Sequence, residues 1–109
     1  MLERLDADSL WHAWIAAAGD DVVGTVWLQL VEKLPNPVVE SESHGYVSNL
    51  FVRERARNHG IGSKLLTAAL DECTRVGVDN VFLWPTPDSR TLYARHGFEA
   101  ADNMLVLRR

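Results

Sequence analysis

Cysteine is nearly absent from this sequence: Cys73 is the single one among 109 residues. A lone cysteine cannot form an internal disulfide, which is consistent with a reducing cytoplasm. No apolar run approaches the ~18 residues that a membrane-spanning helix needs, and residues 1–6 lack the basic start and apolar core of a signal peptide. These absences predict a cytoplasmic protein that does not cross a membrane.

Metal-ligand spacing is also missing, because the 4 histidines and the one cysteine form no cluster typical of a metal site. Positive charge is scarce overall, with a net charge of −4, and acids dominate residues 1–44. Residues 53–64 reverse this balance with a short cationic patch of Arg53, Arg55, Arg57 and Lys64. Such a patch suits a compact polyanion better than a nucleic acid, which needs an extended basic stripe. The acidic half is compatible with a cationic substrate, and equally with a solvated surface.

The composition that remains, 47% hydrophobic and 24% charged, is ordinary for a soluble globular protein, and the length suits one domain over residues 1–109. Apolar periodicity and turn residues predict the order β-β-β-α-β-α-β-β. The strands are expected at 11–18, 22–30, 45–53, 80–84, 98–101 and 104–108, with helices over 61–76 and from Asp88 or Ser89 to His96. This is an α+β fold with a mixed sheet, in which 45–53, 61–76 and 80–84 form a central parallel βαβ unit flanked by helices.

A glycine turn, Arg57-Asn58-His59-Gly60-Ile61-Gly62, connects the strand at 45–53 to the helix at 61–76. The first N–H groups of a helix have no intrahelical partner, and the helix dipole adds positive charge there. Glycine removes the Cβ atoms that would hold a phosphate away from these groups. The turn therefore predicts a site for a phosphorylated small molecule, although a simple tight connection would also use glycine.

Two familiar phosphate motifs do not fit. A dinucleotide fingerprint needs a third glycine where this chain has Leu65, and a P-loop needs a different order of Gly62, Ser63 and Lys64. The pattern R/Q-x-x-G-x-G/A does fit, and it resembles the cofactor signature of the GCN5-related N-acetyltransferase (GNAT) family. A second segment, residues 92–98, is similar to the family's LYxxxGF motif. The two motifs follow in the family's order, and the resemblance covers residues 22–109.

The resemblance implies acetyl-CoA as co-substrate. The pantetheine arm is expected to pair with the backbone of the strand before the turn, and the diphosphate to rest on the amides of the turn, with a charge-assisted contact from the Arg57 side chain. The implied cofactor-binding residues are Leu50, Phe51, Val52, Arg57, Asn58, His59, Gly60, Ile61, Gly62 and Ser63.

Tyr93 occupies the position whose family counterpart protonates the departing CoA sulfur. A phenol with a pKa of about 10 is well matched to a thiolate of about 8.5 or above. The alternative is an aromatic side chain packed on the core. The general base is not identified: Glu42, His44 and Tyr46 are candidates, and water is another. Cys73 and His96 are interpreted as structural residues.

A GNAT domain normally begins with a strand and two helices before the hairpin that starts here at residue 11, and residues 1–10 are too few for them. We expect the missing cover to expose apolar surface, and hence a homodimer. The leading hypothesis is an N-acetyltransferase in which an amine of unknown identity attacks acetyl-CoA directly in a ternary complex. The alternative is a CoA-binding but catalytically weak domain that serves as a sensor, a subunit or a truncated remnant.

Overall fold

Five strands form one sheet in the order β1-β2-β3-β4-β5 in the computed structural model, which describes residues 2–6, 10–32, 43–101 and 104–109. The strands are β1 (Leu2–Asp6), β2 (Trp11–Ala18), β3 (Asp21–Glu32), β4 (Ser43–Val52) and β5 (Asn80–Phe82). Two α-helices are present in this part of the chain, α1 (Ile61–Val76) and α2 (Arg90–Arg95), together with 3-10 turns at Glu54–Ala56 and Pro87–Ser89. Neither α-helix is long and apolar enough to cross a membrane.

The pairs β1–β2, β2–β3 and β3–β4 are antiparallel, and the pair β4–β5 is parallel. Helix α1 connects the two parallel strands and packs across β2, β3 and β4 on one face of the sheet. The predicted mixed sheet with a central parallel βαβ unit is therefore confirmed.

Helix α1 begins and ends where the sequence predicts. Leu65, Leu66, Ala69 and Cys73 recur at helical spacing and are all buried against the sheet. The helix ends at Gly77, whose left-handed backbone (φ 85°) lets its N–H donate to the Cys73 carbonyl at 2.9 Å.

The helix lies close to the sheet because two glycines face it. A Cβ atom on Gly24 of β3 would lie 2.9 Å from Leu65 Cδ1, and one on Gly45 of β4 would lie 2.8 Å from Cys73 Sγ. Burial raises the pKa of the Cys73 thiol to about 11, so the thiol stays protonated. Its predicted role as a core residue is confirmed.

Strand β1 is a feature that the sequence pattern does not predict. It pairs with β2 from Leu2↔Ala16 to Asp6↔His12, yet all of its side chains are exposed, so no apolar alternation marks it. Only residues 7–10 separate it from β2, which leaves no room for two helices between them. The leading strand, which the sequence interpretation took to be missing, is thus present.

The two closing strands predicted at 98–101 and 104–108 are wrong: within the described part of those ranges the structure has no strand. The physical reason is the short partner. Strand β5 ends at Phe82 instead of residue 84, ahead of Pro85 and Pro87, and so offers little edge for pairing. Leu105 is 99% exposed, which shows that apolar content alone does not make a strand.

An ion network around the buried Glu72 joins β1 to the C-terminal half of α1. The Arg4 guanidinium donates to both Glu72 oxygens at 2.9 and 3.0 Å, and Arg75 contacts the same carboxylate at 2.6 and 2.8 Å. Asp6 Oδ1 lies 2.8 Å from His12 Nδ1 and accepts from Arg4 Nε at 3.0 Å. The hydrogen bonds from Arg75 and Arg4 lower the pKa of Glu72 from 4.5 to about 2, although burial opposes them.

We predict that Glu72→Gln lowers the free energy of unfolding at neutral pH by about 2 kcal/mol, because a neutral amide cannot replace the charge-assisted hydrogen bonds that the Glu72 carboxylate accepts from Arg4 and Arg75. A carboxylate with a depressed pKa stabilises the folded state fully above pH 4.5 and loses this contribution as the pH falls toward about 2. Urea unfolding should therefore show that the free energy of unfolding of wild type declines as the pH falls across this range, and that the decline is shallower in Glu72→Gln.

The matched control is Asp71→Asn, which makes the same charge change at an exposed position of the same helix. It should change the free energy of unfolding by less than about 0.5 kcal/mol. Parallel stability–pH profiles for wild type and Glu72→Gln would contradict the role assigned to Glu72.

Candidate functional site

The two edges of β4 are paired to different lengths. Its pairing with β5 runs from His44 to Tyr46, whereas its pairing with β3 continues to Val52. Residues 47–52 therefore have a strand neighbour on one side only within the described chain. The predicted pantetheine-binding residues Leu50, Phe51 and Val52 all lie on this one-sided stretch, and the Val52 carbonyl already accepts from Arg57 Nε.

Strand β4 is also irregular just before these residues. Asn49 has a left-handed backbone (φ 53°), and its carbonyl accepts a hydrogen bond from Thr25 Oγ1 at 3.0 Å. The β3–β4 register shifts between Thr25 and Trp27 at the same place. A bulge of this kind bends a strand and redirects the groups that follow it.

The glycine turn leads directly from β4 into α1. Asn58 and Gly60 both have left-handed backbones, with φ of 67° and 74°. A Cβ atom on Gly60 would meet nothing within 4 Å, so backbone angle rather than lack of space favours glycine there. The region in front of Gly60 is therefore open to a ligand.

The first turn of α1 has backbone amides without an intrahelical acceptor. The first intrahelical bond runs from Lys64 N to Gly60 O at 3.0 Å, so the N–H groups of Ile61, Gly62 and Ser63 have no helical acceptor. No side chain caps this end, and no acidic residue lies in the first turn. The structure thus brings these three amides together at the positive end of the helix dipole, in an arrangement that suits an anion.

The arginines of the cationic patch are partly engaged by the protein itself. Arg57 Nε donates to the Val52 carbonyl at 3.1 Å, and Arg53 Nε donates to the Val22 carbonyl at 2.7 Å. Arg55 forms an exposed ion pair with Asp21 at 3.0 Å. Contact between Arg57 and a diphosphate stays a prediction, as do backbone contacts from Asn58 and His59 in the turn.

Tyr93 lies in α2 and is 92% buried, with its ring 5.6 Å from that of Phe98. Burial raises the pKa of the phenol above its usual value near 10, and a hydrogen bond with Ser89 partly offsets this. The phenol is therefore protonated at neutral pH and can serve as an acid. Tyr93 also lines a cavity of about 470 Å³, together with Phe82, Trp84 and Phe98.

Helix α2 meets the start of α1. Ser63 Oγ lies 2.8 Å from His96 Nε2, across 33 residues of sequence, and a Cβ atom on Gly62 would lie 3.4 Å from Leu92 Cδ2. The helix that carries Tyr93 thus adjoins the glycine turn. The sequence interpretation of His96 as merely structural missed its contact with Ser63, because no local pattern links residues so far apart.

The candidate bases Tyr46 and His44 both have ring contacts with Phe82. The Tyr46 ring stacks on Phe82 at 5.2 Å, and the His44 ring meets Phe82 edge-on at 6.1 Å. Both belong to an aromatic cluster around the paired part of β4 and β5, which also includes Trp84. Glu42 lies outside the described residues. The base therefore stays unassigned.

Comparison with known proteins agrees with this geometry. The family model for Acetyltransferase (GNAT) matches residues 2–98. A GCN5-related N-acetyltransferase from Ralstonia eutropha JMP134 superposes with a TM-score of 0.80 and 28% identity, over 94% of this chain and 67% of that one. A predicted acetyltransferase with acetyl-CoA from Clostridium acetobutylicum superposes with a TM-score of 0.80 and 22% identity, over 91% of this chain and 64% of that one.

Glucosamine-6-phosphate N-acetyltransferase from Arabidopsis thaliana has the same fold at 15% identity, with a TM-score of 0.75 over 90% of this chain and 66% of that one. The chain thus spans about two thirds of the length of these structures, and no curated protein matches it. A family match over residues 2–98 includes the glycine turn and the segment that carries Tyr93. The chain therefore belongs to the GNAT family of acetyltransferases.

Proposed function

We propose that this protein is an acetyl-CoA-dependent N-acetyltransferase in which an amine attacks the thioester directly in a ternary complex. One arrangement carries the proposal: unpartnered amides at the start of α1 lie between a one-sided β4 edge and a helix that holds a protonated Tyr93. These are the parts that acetyl transfer requires, namely anion binding, alignment of an extended donor and an acid for the leaving group.

The residues fit acetyl-CoA in charge and shape. The diphosphate would accept hydrogen bonds from Ile61, Gly62 and Ser63, where no carboxylate opposes it. The pantetheine arm would pair with the backbone of residues 50–52, beside which the described part of the chain places no strand on that side. Arg57 lies between the two, held at Val52 by its Nε, and would add positive charge.

Tyr93 would act at the end of the reaction. The amine forms a bond to the acetyl carbonyl carbon, the C–S bond breaks, and the phenol donates its proton to the departing thiolate. Because burial raises the pKa of Tyr93, the phenol keeps its proton at neutral pH and is available as the acid when the C–S bond breaks. The amine proton would pass to water or to a base yet to be assigned, for which His44 and Tyr46 are candidates.

A catalytically weak CoA-binding domain is the second candidate. The observation that favours it is the short connection between β1 and β2, residues 7–10, which has no room for helices that could shape an acceptor pocket. Release of free CoA across a panel of amines separates the two candidates. Binding of CoA without turnover on any amine would favour the second.

We predict that Gly60→Asp weakens acetyl-CoA binding at least about tenfold, because it adds a negative charge beside the diphosphate. Calorimetric titration with CoA gives the dissociation constant. The matched control is Gly77→Asp, since Gly77 also has a left-handed backbone and open space around it, at the other end of the same helix.

Both variants should lose about 1 kcal/mol of stability from backbone strain. Gly77→Asp should lose slightly more, because the helix dipole disfavours an acid at that end, yet its affinity for CoA should stay at the wild-type value. An equal loss of affinity in both variants would trace the effect to helix stability, not to the anion site.

We predict that Tyr93→Phe lowers kcat about 100-fold, the lower end of the range for loss of a general acid. The dissociation constant for acetyl-CoA should change less than about twofold, because phenylalanine keeps the packing against Phe98. Steady-state kinetics and calorimetry on the same preparations provide both numbers.

The pH dependence gives a further check on Tyr93. An acid works only while protonated, so wild-type activity should fall as the pH rises through the elevated pKa of the phenol, above about 10. This alkaline limb should vanish in Tyr93→Phe. Equal losses of kcat and affinity would instead make the tyrosine a packing residue.

We also propose a homodimer, which the exposure of large apolar side chains favours. Phe51 is 53% exposed and Trp84 is 55% exposed, although both lie beside the candidate site. Light scattering at tens of micromolar protein should give about twice the 12.2 kDa of one chain. A mass equal to one chain would contradict the dimer.

A further inference from the structure

The contact between Ser63 and His96 connects the two helices on which the proposed reaction depends. Ser63 belongs to the first turn of α1, and its backbone N–H is one of the amides without a helical acceptor. His96 follows the last residue of α2. Their side chains meet at 2.8 Å, and both residues are half-buried, which strengthens a hydrogen bond relative to one in water.

The backbone around His96 is tied to Tyr93. His96 N and Phe98 N both donate to the Tyr93 carbonyl, at 3.0 and 3.1 Å. A side chain that fixes His96 therefore also fixes the helical turn that carries the phenol. Ser63 holds this turn from the α1 side, and Leu92 approaches Gly62 next to it.

The direction of the hydrogen bond decides what Ser63 can offer a ligand. If the Ser63 hydroxyl donates to His96 Nε2, its proton is used within the protein. If His96 donates its Nε2–H to Ser63 Oγ, the hydroxyl proton is free for another acceptor. An anion in front of α1 favours the second arrangement, because it gains one more donor beside the backbone amides.

We propose that His96 is a positioning residue for the diphosphate of acetyl-CoA: by donating its Nε2–H to Ser63 Oγ, it directs the Ser63 hydroxyl proton to a phosphate oxygen and couples this contact to the helix of Tyr93. The inference rests on the proposed function. The Ser63 hydroxyl would add one hydrogen-bond donor to those of the backbone amides. Its contact with His96 would also link binding of the diphosphate to the position of α2, the helix that carries Tyr93.

The test compares two acetyl donors, acetyl-CoA and acetyl-pantetheine, of which only the first has a diphosphate. His96→Phe should raise KM for acetyl-CoA about fivefold or more and leave KM for acetyl-pantetheine within about twofold. His96→Gln should restore at least half of the lost affinity on a logarithmic scale, because its amide can donate to Ser63. Equal effects on both donors would make His96 a structural residue and overturn the proposal.

A double-mutant cycle on CoA binding gives an independent measurement that does not require turnover. Ser63→Ala and His96→Phe should each weaken CoA about fivefold, and the double variant should be no weaker than either single one. Additive losses would overturn the proposal. Melting temperatures of all variants identify any that fail to fold, and in that case His96→Leu, which also cannot donate to Ser63, takes the place of His96→Phe in the cycle.

A spectroscopic signature distinguishes the mechanism from simple packing. The ¹⁵N spectrum of the His96 imidazole should show a proton at Nε2 when CoA saturates the wild-type protein. An imidazole protonated only at Nδ1 on saturation would overturn the proposal while leaving acetyl transfer intact. Failure of the wild-type chain to bind CoA at all would instead remove the proposed function and this inference together.

Discussion

The close approach of helix α1 to the sheet is the constraint on which the rest of the structure depends. It is set by Gly24 and Gly45, where any side chain would collide with Leu65 or Cys73. Because the helix lies flat on β3 and β4, its first turn faces the stretch of β4 that β5 leaves unpaired. Gly24 also lies directly beside the predicted site, because a Cβ atom there would approach Phe51 O at 3.1 Å and Ile61 Cγ2 at 3.3 Å.

The two ends of α1 serve opposite purposes. At the C-terminal end, Gly77 satisfies the Cys73 carbonyl, and Arg4 and Arg75 neutralise the buried Glu72. At the N-terminal end, no cap and no carboxylate compensate the free amides. Stability thus comes from one end, while the other keeps its hydrogen-bonding capacity for a ligand.

Features with a local cause were predictable from the sequence. Helix α1 and its stop at Gly77, strand β2 and the glycine turn all rest on periodicity or on backbone geometry that a few adjacent residues determine. Their bounds match the expected ranges at 61–76 and 11–18. The parallel βαβ unit could be predicted as well, because a strand, a helix and a strand in this order have one preferred topology.

Features with a distant cause were not predictable. Strand β1 has no buried face and is secured by its ladder and by Arg4, whose partner Glu72 is 68 residues away. The strands predicted at 98–101 and 104–108 do not form within the described residues because their partner β5 is short. The length of β5 cannot be deduced from the sequence of residues 98–108. Likewise, the contact of His96 with Ser63 depends on how two helices dock, and a motif that fixes each helix separately cannot reveal it.

The burial of Cys73 has a practical consequence for following the motions of this fold. It is the single thiol in the chain, it sits between α1 and Gly45, and its proton is held tightly. An alkylating reagent can reach it only when the helix lifts from the sheet, so the labelling rate reports that opening directly. The chain therefore contains its own sensor of helix detachment, with no engineered probe required.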